Sequence, residues 1–181
     1  MSGPGPAPTL RLTLMRHGRA EGNDPRLADF DRSLDRRGIS EVIAMGQRMA
    51  GRGLTPELLL ASPAARTVQT AQILLREFDG ATVELRLEPR LYLASADTLL
   101  ESIRQRGGQA THLMLVGHNP GITDFARWLA PGFDLPGFET AATCTLTLQC
   151  ASWDTLGAAM AREAHPDRPG LERVFSTNRR G

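Results

Sequence analysis

Two arginines and two histidines in this chain occupy positions where they could hold and attack an anion. Arg16 and His17 follow an apolar segment, Arg66 lies just beyond a second, and His118 follows a third. A guanidinium binds two oxygens of an oxyanion at once, and a neutral imidazole is a nucleophile. Gly18 lets the backbone turn tightly or approach a ligand closely. These residue types predict a site for an oxyanion that the histidine attacks or holds.

The elements around these residues alternate between strand and helix, which is typical of an α/β fold with a mainly parallel sheet. Strands are predicted at residues 10–15, 58–61, 83–87 and 112–116, with a further strand near a sheet edge at 143–150. Four helices are predicted. The first is capped by Asp35 and has Ile39, Ile43, Gly46 and Ala50 on one face, and the second begins with Ser62 as its cap and Pro63 at its first position. The third is capped by Ser95 or Asp97, and the fourth carries Ile122 to Leu129. A short helical stretch is predicted after Trp153.

The parallel arrangement predicts that the arginines and histidines converge, because the carboxyl ends of parallel strands lie at one edge of a sheet. Taken singly, Arg66 could be a solvated helix arginine and His118 a turn residue. His112 and His165 follow no strand end, so both are assigned structural positions. A metal site using His17 is disfavoured, because the arginines would repel a cation and no carboxylate cluster accompanies them.

Composition predicts one domain in a reducing compartment. The chain has 181 residues, 41% of them hydrophobic, enough for a single core. We expect a domain at 10–164, a flexible Gly/Pro-rich tail at 1–9 and a loosely ordered tail at 165–181. A net charge of +1 offers no electrostatic case for binding nucleic acid or a membrane surface. Cys144 and Cys150 are expected to be buried reduced thiols, and without an apolar span the protein is expected to be cytoplasmic.

Four segments together resemble the histidine phosphatase superfamily. They are Leu14-Met15-Arg16-His17-Gly18, Asp31-Arg32-Ser33-Leu34-Asp35-Arg36-Arg37-Gly38, Ser62-Pro63-Ala64-Ala65-Arg66-Thr67-Val68-Gln69-Thr70-Ala71 and Val116-Gly117-His118-Asn119-Pro120-Gly121. Their order and spacing over roughly residues 10–157 are most similar to the small SixA-type phosphohistidine phosphatases. The resemblance implies a three-layer α/β/α sandwich with a mainly parallel central sheet, the phosphoglycerate mutase-like fold. It also implies phosphoryl transfer without a metal or other cofactor.

The same resemblance implies roles for individual residues. His17 would attack phosphorus and become transiently phosphorylated, while Arg16, Arg66 and His118 would clamp the phosphoryl oxygens, with Gly18 also in the phosphate-binding set. Asn23 stands where larger members place a phosphate-binding asparagine, and a plain loop position is the alternative. Arg32 could equally face the site or the solvent.

The proton donor is where this sequence departs from larger family members. Glu88 is the candidate acid, with Asp97 and Asp124 as less plausible ones, and Asn119 beside the second histidine cannot serve as an acid. A weak acid suits a good leaving group such as the imidazole of phosphohistidine. The leading hypothesis is therefore a phosphatase acting on phosphohistidine in a protein, with inorganic phosphate as product. The alternatives are a phosphatase of small phosphomonoesters that uses Glu88, or a non-catalytic phosphate-binding module.

Overall fold

A computed structural model describes residues 9–22 and 24–171 of the chain. Within these residues the chain forms six strands and four α-helices, together with three 3₁₀ turns at Asp29–Asp31, Pro89–Leu91 and Trp153–Thr155. In chain order they are β1 Leu10–Arg16, α1 Arg36–Gly51, β2 Leu58–Ala61, α2 Ala65–Glu77, β3 Glu84–Leu87, α3 Ala96–Arg106, β4 His112–Gly117, α4 Gly121–Leu129, β5 Thr143–Leu148 and β6 Ala161–Asp167. None of the helices in the described part of the chain is both long and apolar enough to cross a membrane.

The strands form one mainly parallel sheet in the order β3-β2-β4-β1-β5-β6. Strands β1 to β4 run parallel, whereas β5 is antiparallel to β1 and β6 is antiparallel to β5. The predicted α/β class is confirmed. The fifth strand lies near a sheet edge as predicted, with only β6 of the described strands pairing along its outer side.

Helices cover both faces of the sheet, so the fold has the three layers that the resemblance implies. Along β2, Leu58 and Leu60 belong to the core shared with α3 and α4, while Leu59 and Ala61 belong to the core shared with α1 and α2. Successive residues of a strand point to opposite faces, and a strand buried on both faces is apolar throughout. Burial of each such leucine contributes about 1.5–3 kcal/mol.

Helix α1 buries a face that is shifted from the predicted one, with Gly46 common to both. Ile39 is 40% exposed and Ile43 is half-buried, while the buried positions are Gly38, Val42, Met45, Gly46 and Met49. The helix is rotated because Gly38 lies directly against the loop after β1, where an added Cβ would stand 2.1 Å from the carbonyl oxygen of Arg19. The predicted cap is confirmed, since the Asp35 carboxylate accepts a hydrogen bond from the Gly38 N–H at 2.7 Å.

The ordered fold continues past the boundary expected at residue 164. Strand β6 runs to Asp167, which pairs with Thr143 at the start of β5. The Asp167 carboxylate also accepts hydrogen bonds from Arg48 of α1 and from Arg52 just after it. Of the tails expected at 1–9 and 165–181, residues 1–8 and 172–181 lie outside the described residues, as does the candidate Asn23.

Candidate active site

Three adjacent strands bring the predicted site residues together. Because β4 lies between β1 and β2 in the sheet, the segments that follow these strands emerge side by side. The His17 N–H donates to the Gly117 carbonyl at 3.1 Å, and the Ser62 N–H donates to the Val116 carbonyl at 3.3 Å. The rings of His17 and His118 are then 5.2 Å apart, measured between centroids.

His17 is held as a neutral imidazole whose unprotonated nitrogen can act as a base or nucleophile. Its Nδ1 lies 2.7 Å from the Gly18 carbonyl oxygen, and because a carbonyl can only accept, Nδ1 carries the proton. Its Nε2 is left with a lone pair, which accepts a hydrogen bond from the Arg66 Nε–H at 3.3 Å. Burial, reinforced by the positive charges of Arg66 and Arg16, lowers the pKa of His17 to about 4.

Arg66, which is only 2% exposed, links the two histidines. Besides its bond to His17, its Nη2 donates to the Nδ1 of His118 at 3.3 Å. Its guanidinium also donates to Asp29, at 2.6 Å to the backbone carbonyl and 3.0 Å to the carboxylate. Arg66 lies in the first turn of α2, a few residues after the end of β2.

Asp29 is a site residue that the sequence analysis missed. It lies in a 3₁₀ turn 37 positions before Arg66, and its carboxylate also accepts hydrogen bonds from Arg32 and from the Tyr92 hydroxyl. The hydrogen bonds from Arg32 above all, and then those from Tyr92 and Arg66, hold the pKa of this carboxyl well below its usual range. Asp29 is therefore ionised near neutral pH. Asp29 is one of several acidic residues in a polar loop, and no local sequence pattern marks it as a site residue.

His118 completes the pair of imidazoles and is also buried, at 3% exposure. Its Nε2 lies 2.8 Å from the hydroxyl oxygen of Ser62. Burial, together with the nearby His17 and Arg66, lowers the pKa of His118 to about 3. Both imidazoles of the site are thus neutral near pH 7.

Arg16 carries a hydrogen-bond donor without a protein acceptor. One of its terminal nitrogens donates to the Phe138 carbonyl at 3.1 Å. Its Nε is buried and has no hydrogen-bond partner among the described residues. A buried unsatisfied donor costs about 1–3 kcal/mol, and a ligand oxygen bound here would remove that cost.

The side chains surround an open cavity of about 490 Å³. Its lining is strongly basic, with Asp29 as the one carboxylate among the described lining residues. The full lining is Arg16, His17, Arg19, Ala20, Asp29, Arg32, Arg66, Leu93, His118, Asn119 and Thr140. Such a lining favours an anion with several acceptor oxygens.

The structure separates other predicted residues from this cavity. Glu88 is not among the residues that line it, and its carboxylate accepts a hydrogen bond from Arg106 at 2.8 Å. The Gly18 N–H donates to the Thr70 hydroxyl at 3.0 Å and is not free for a phosphate oxygen. Gly18 instead serves packing, since a Cβ there would stand 2.6 Å from a methyl carbon of Val42.

Ser62 does not cap α2, contrary to expectation. The cap residue is Ala64, with no side-chain hydrogen bond, because α2 begins at Ala65. Further along the chain, Ser95 caps α3 as one of the two predicted candidates. His112 has a structural environment, with its Nε2 2.9 Å from the Thr13 hydroxyl.

The other metal-binding residue types form no competing centre in the part of the chain described. No group of three or more histidine, cysteine or acidic side chains there could hold a metal ion. Cys144 and Cys150 are buried and unbridged, and burial raises the pKa of the Cys144 thiol to about 12.

Comparison with known proteins identifies relatives of this fold and sequence. The family model described as "Histidine phosphatase superfamily (branch 1)" matches residues 12–92. The crystal structure of the proposed phosphohistidine phosphatase SixA from Agrobacterium tumefaciens is 32% identical, with a TM-score of 0.71 over 79% of this chain and 94% of that one.

Two curated relatives are uncharacterized proteins. One from Mycobacterium tuberculosis is 34% identical over 64% of this chain and 70% of its own length. A chloroplastic one from Arabidopsis thaliana is 29% identical over 66% of this chain, and the match spans only 59% of that longer protein.

Proposed function

The chain belongs to the histidine phosphatase superfamily, as a SixA-type phosphatase, and we propose that it removes phosphate from phosphohistidine, a phosphoramidate, in a protein. The observation that carries this proposal is the state of His17. Its Nδ1 proton is committed to the Gly18 carbonyl, and its Nε2 lone pair faces the Arg66 guanidinium. A nucleophile is therefore held within contact of a group that binds phosphoryl oxygens.

The first step transfers the phosphoryl group to His17. The Nε2 lone pair attacks phosphorus, the bond from phosphorus to the leaving nitrogen breaks, and that nitrogen departs with the electron pair. Charge spreads over the three equatorial oxygens in such a transfer, so catalysis depends on positioned positive groups. Arg66 and Arg16 supply them, and the buried Nε of Arg16 gains its missing acceptor.

In the second step water attacks the phosphorylated His17. The bond between phosphorus and Nε2 breaks, inorganic phosphate leaves, and the imidazole is regenerated with its proton still on Nδ1. The hydrogen bond to the Gly18 carbonyl holds the same tautomer throughout. No redox change or added cofactor enters this balance.

Among the described residues that line the cavity there is no protonated acid, which favours phosphohistidine over an alkyl ester as the substrate. The carboxylate of the described cavity lining is Asp29, which the hydrogen bonds from Arg32, Tyr92 and Arg66 keep ionised. An alkoxide must be protonated as it leaves, whereas an imidazole leaves as a neutral molecule once its distant nitrogen is protonated. Glu88, the acid that an ester phosphatase would need, is paired with Arg106.

Two aromatic rings beside the cavity and one apolar lining residue suit a planar leaving group on a protein. The Tyr92 ring stands edge-on to His118 and to Phe30, with distances between ring centroids of 5.5 Å and 5.0 Å. Leu93 lines the cavity, is 57% exposed and has a φ of +49°. This left-handed backbone costs a non-glycine residue about 1–2 kcal/mol, so the fold holds a strained apolar side chain at the mouth.

The direct test compares two substrates and traps the intermediate. Phosphate release is measured from a phosphohistidine-bearing protein and from p-nitrophenyl phosphate, with rapid quench to detect phosphorylated enzyme. The proposal predicts preference for the phosphohistidine protein and a phosphoenzyme that His17→Asn abolishes. His165→Asn is the matched control, because that histidine lies on β6 with 70% of its side chain exposed.

Each alternative has its own result. Faster turnover of the ester, lost in Glu88→Gln, would establish the small-molecule phosphatase instead. Phosphate binding without turnover of either substrate and without phosphoenzyme would establish a binding module.

A further inference from the structure

The hydroxyl of Ser62 is the direct partner of His118 inside the protein. Ser62 is fully buried, and its Oγ lies 2.8 Å from the His118 Nε2 and 3.4 Å from the Ala64 backbone nitrogen. Because Ala64 rather than Ser62 caps α2, helix capping does not account for a serine here. The serine hydroxyl at this position is therefore explained by its contact with His118.

Without a ligand, the hydrogen bonds assign one tautomer to His118. Arg66 has only N–H donors, so its contact with the His118 Nδ1 at 3.3 Å requires a lone pair on that nitrogen. A neutral ring then carries its proton on Nε2 and donates to the Ser62 oxygen. That oxygen also accepts from the Ala64 N–H, and neither bond uses the hydroxyl's own proton.

A bound phosphoryl oxygen demands the opposite arrangement. The oxygen is an acceptor, so His118 can bind it through Nδ1 only if that nitrogen carries a proton. One route is to form the imidazolium, which the buried surroundings oppose. The other route keeps the ring neutral and places its single proton on Nδ1, provided that Nε2 finds a donor.

We propose that Ser62 is a positioning residue that switches the tautomer of His118 when an oxyanion binds. The hydroxyl can either accept from Nε2–H or turn and donate its own proton to an Nε2 lone pair. In the bound state the Ala64 N–H still donates to the Ser62 oxygen, the hydroxyl donates to Nε2, and Nδ1–H donates to the phosphoryl oxygen. One proton leaves Nε2 and one binds Nδ1 by exchange with water, so the ring stays neutral.

The switch explains how His118 can bind an anion without carrying charge. Arg66 can then donate to the same phosphoryl oxygen, and its repulsion with a cationic ring is avoided. This inference concerns oxyanion binding and holds whether the phosphate comes from phosphohistidine or from an ester.

The decisive measurement is the tautomer of His118 by nitrogen-15 NMR of the whole protein. We expect the proton on Nε2 in the free enzyme and on Nδ1 at saturating inorganic phosphate, near pH 7, with no imidazolium. Retention of the proton on Nε2 with phosphate bound would overturn the proposal, as would appearance of the imidazolium. Turnover of any substrate does not enter this result, so it stands apart from the phosphatase assay.

Variants of Ser62 give a second, independent readout. In Ser62→Ala a neutral ring can no longer be stabilised as the Nδ1–H form. We expect phosphate affinity near pH 7 to fall about 10- to 100-fold, the effect of losing one hydrogen bond to a charged group. The deficit relative to wild type should shrink as pH falls, because the imidazolium can replace the missing donor.

A merely structural serine would lose affinity equally at every pH, which is the contradicting pattern. Ser62→Thr keeps the hydroxyl and should restore both the affinity and the pH profile. If its extra methyl prevents folding, as thermal unfolding would show, the tautomer measured in the wild-type protein decides alone.

Discussion

Gly38 couples helix α1 to the loop that carries His17, and its replacement by alanine should impair the site from a distance. An added Cβ would lie 2.1 Å from the Arg19 carbonyl oxygen and 2.8 Å from the Arg19 nitrogen. These are backbone atoms, so no side-chain rotation can relieve the overlap. The same carbonyl accepts the Asp35 N–H at 3.0 Å, which ties this loop to the start of α1.

The size of the effect follows from these distances. Ordinary Cβ contacts begin near 3.4 Å, so the Arg19 carbonyl must retreat by about 1.3 Å in Gly38→Ala. Arg19 is two residues after His17, and displacement of reacting groups by about 1 Å can cost about 10²-fold in rate. We expect kcat/KM to fall by about that factor, and the free energy of unfolding to fall by about 1–3 kcal/mol through overpacking.

Gly51 provides the matched control on the same helix. A Cβ there meets nothing within 4 Å. Gly51→Ala should leave kcat/KM unchanged and keep or raise stability, because alanine favours a helix over glycine. Both variants would be assayed for phosphate release on the substrate that the wild-type enzyme turns over best, with urea unfolding in parallel. A Gly38→Ala enzyme within twofold of wild type would refute the proposed steric coupling.

Three further outcomes are expected. Arg66→Lys should lower kcat/KM about 10²–10³-fold, because an ammonium lacks the planar guanidinium fork that binds two phosphoryl oxygens at once, and a rate near wild type in the same assay would contradict this role. His17, His112 and His118 have folded pKa values of about 4, 4 and 3, all below the unfolded value of 6.5. Each of them should therefore lower the free energy of unfolding by about 2 kcal/mol between pH 7 and pH 5. The unfolded chain binds more protons in this range, so the stability that these histidines contribute is highest above pH 6.5 and declines as pH falls. Equal urea midpoints at pH 7 and 5 would argue against buried neutral imidazoles. Glu88→Gln should leave kcat/KM on the phosphohistidine substrate unchanged while weakening the contact with Arg106, and a large loss of turnover would restore Glu88 as the acid.

Sequence patterns predicted the parts of the fold that depend on local properties. The all-apolar segment at 58–61 and the nearly apolar one at 112–116 indicated buried parallel strands, and β2 and β4 are those strands. Asp35 predicted the start of α1 through its hydrogen bond to a nearby N–H. Strand β6 escaped prediction because it lies at the sheet edge and most of its residues are partly or fully exposed, which leaves no apolar alternation to read.

The orientation of elements was less predictable than their existence. The apolar periodicity of α1 allowed a face containing Ile39, yet that side chain is 40% exposed. The contact of Gly38 with the loop after β1 selects the rotation of the helix. Such a contact joins two segments whose relative placement no local pattern contains.

By itself the sequence determined that Arg16, His17, Arg66 and His118 meet, because strand ends are local signals and parallel strands share one edge. Only the tertiary structure decided which partners complete them. Asp29 reaches Arg66 across 37 residues, Ser62 faces His118 across 56, and Glu88 pairs with Arg106 instead of lining the cavity. The physical reason is that hydrogen bonds form within about 3 Å, a precision that depends on how helices and loops pack around the sheet.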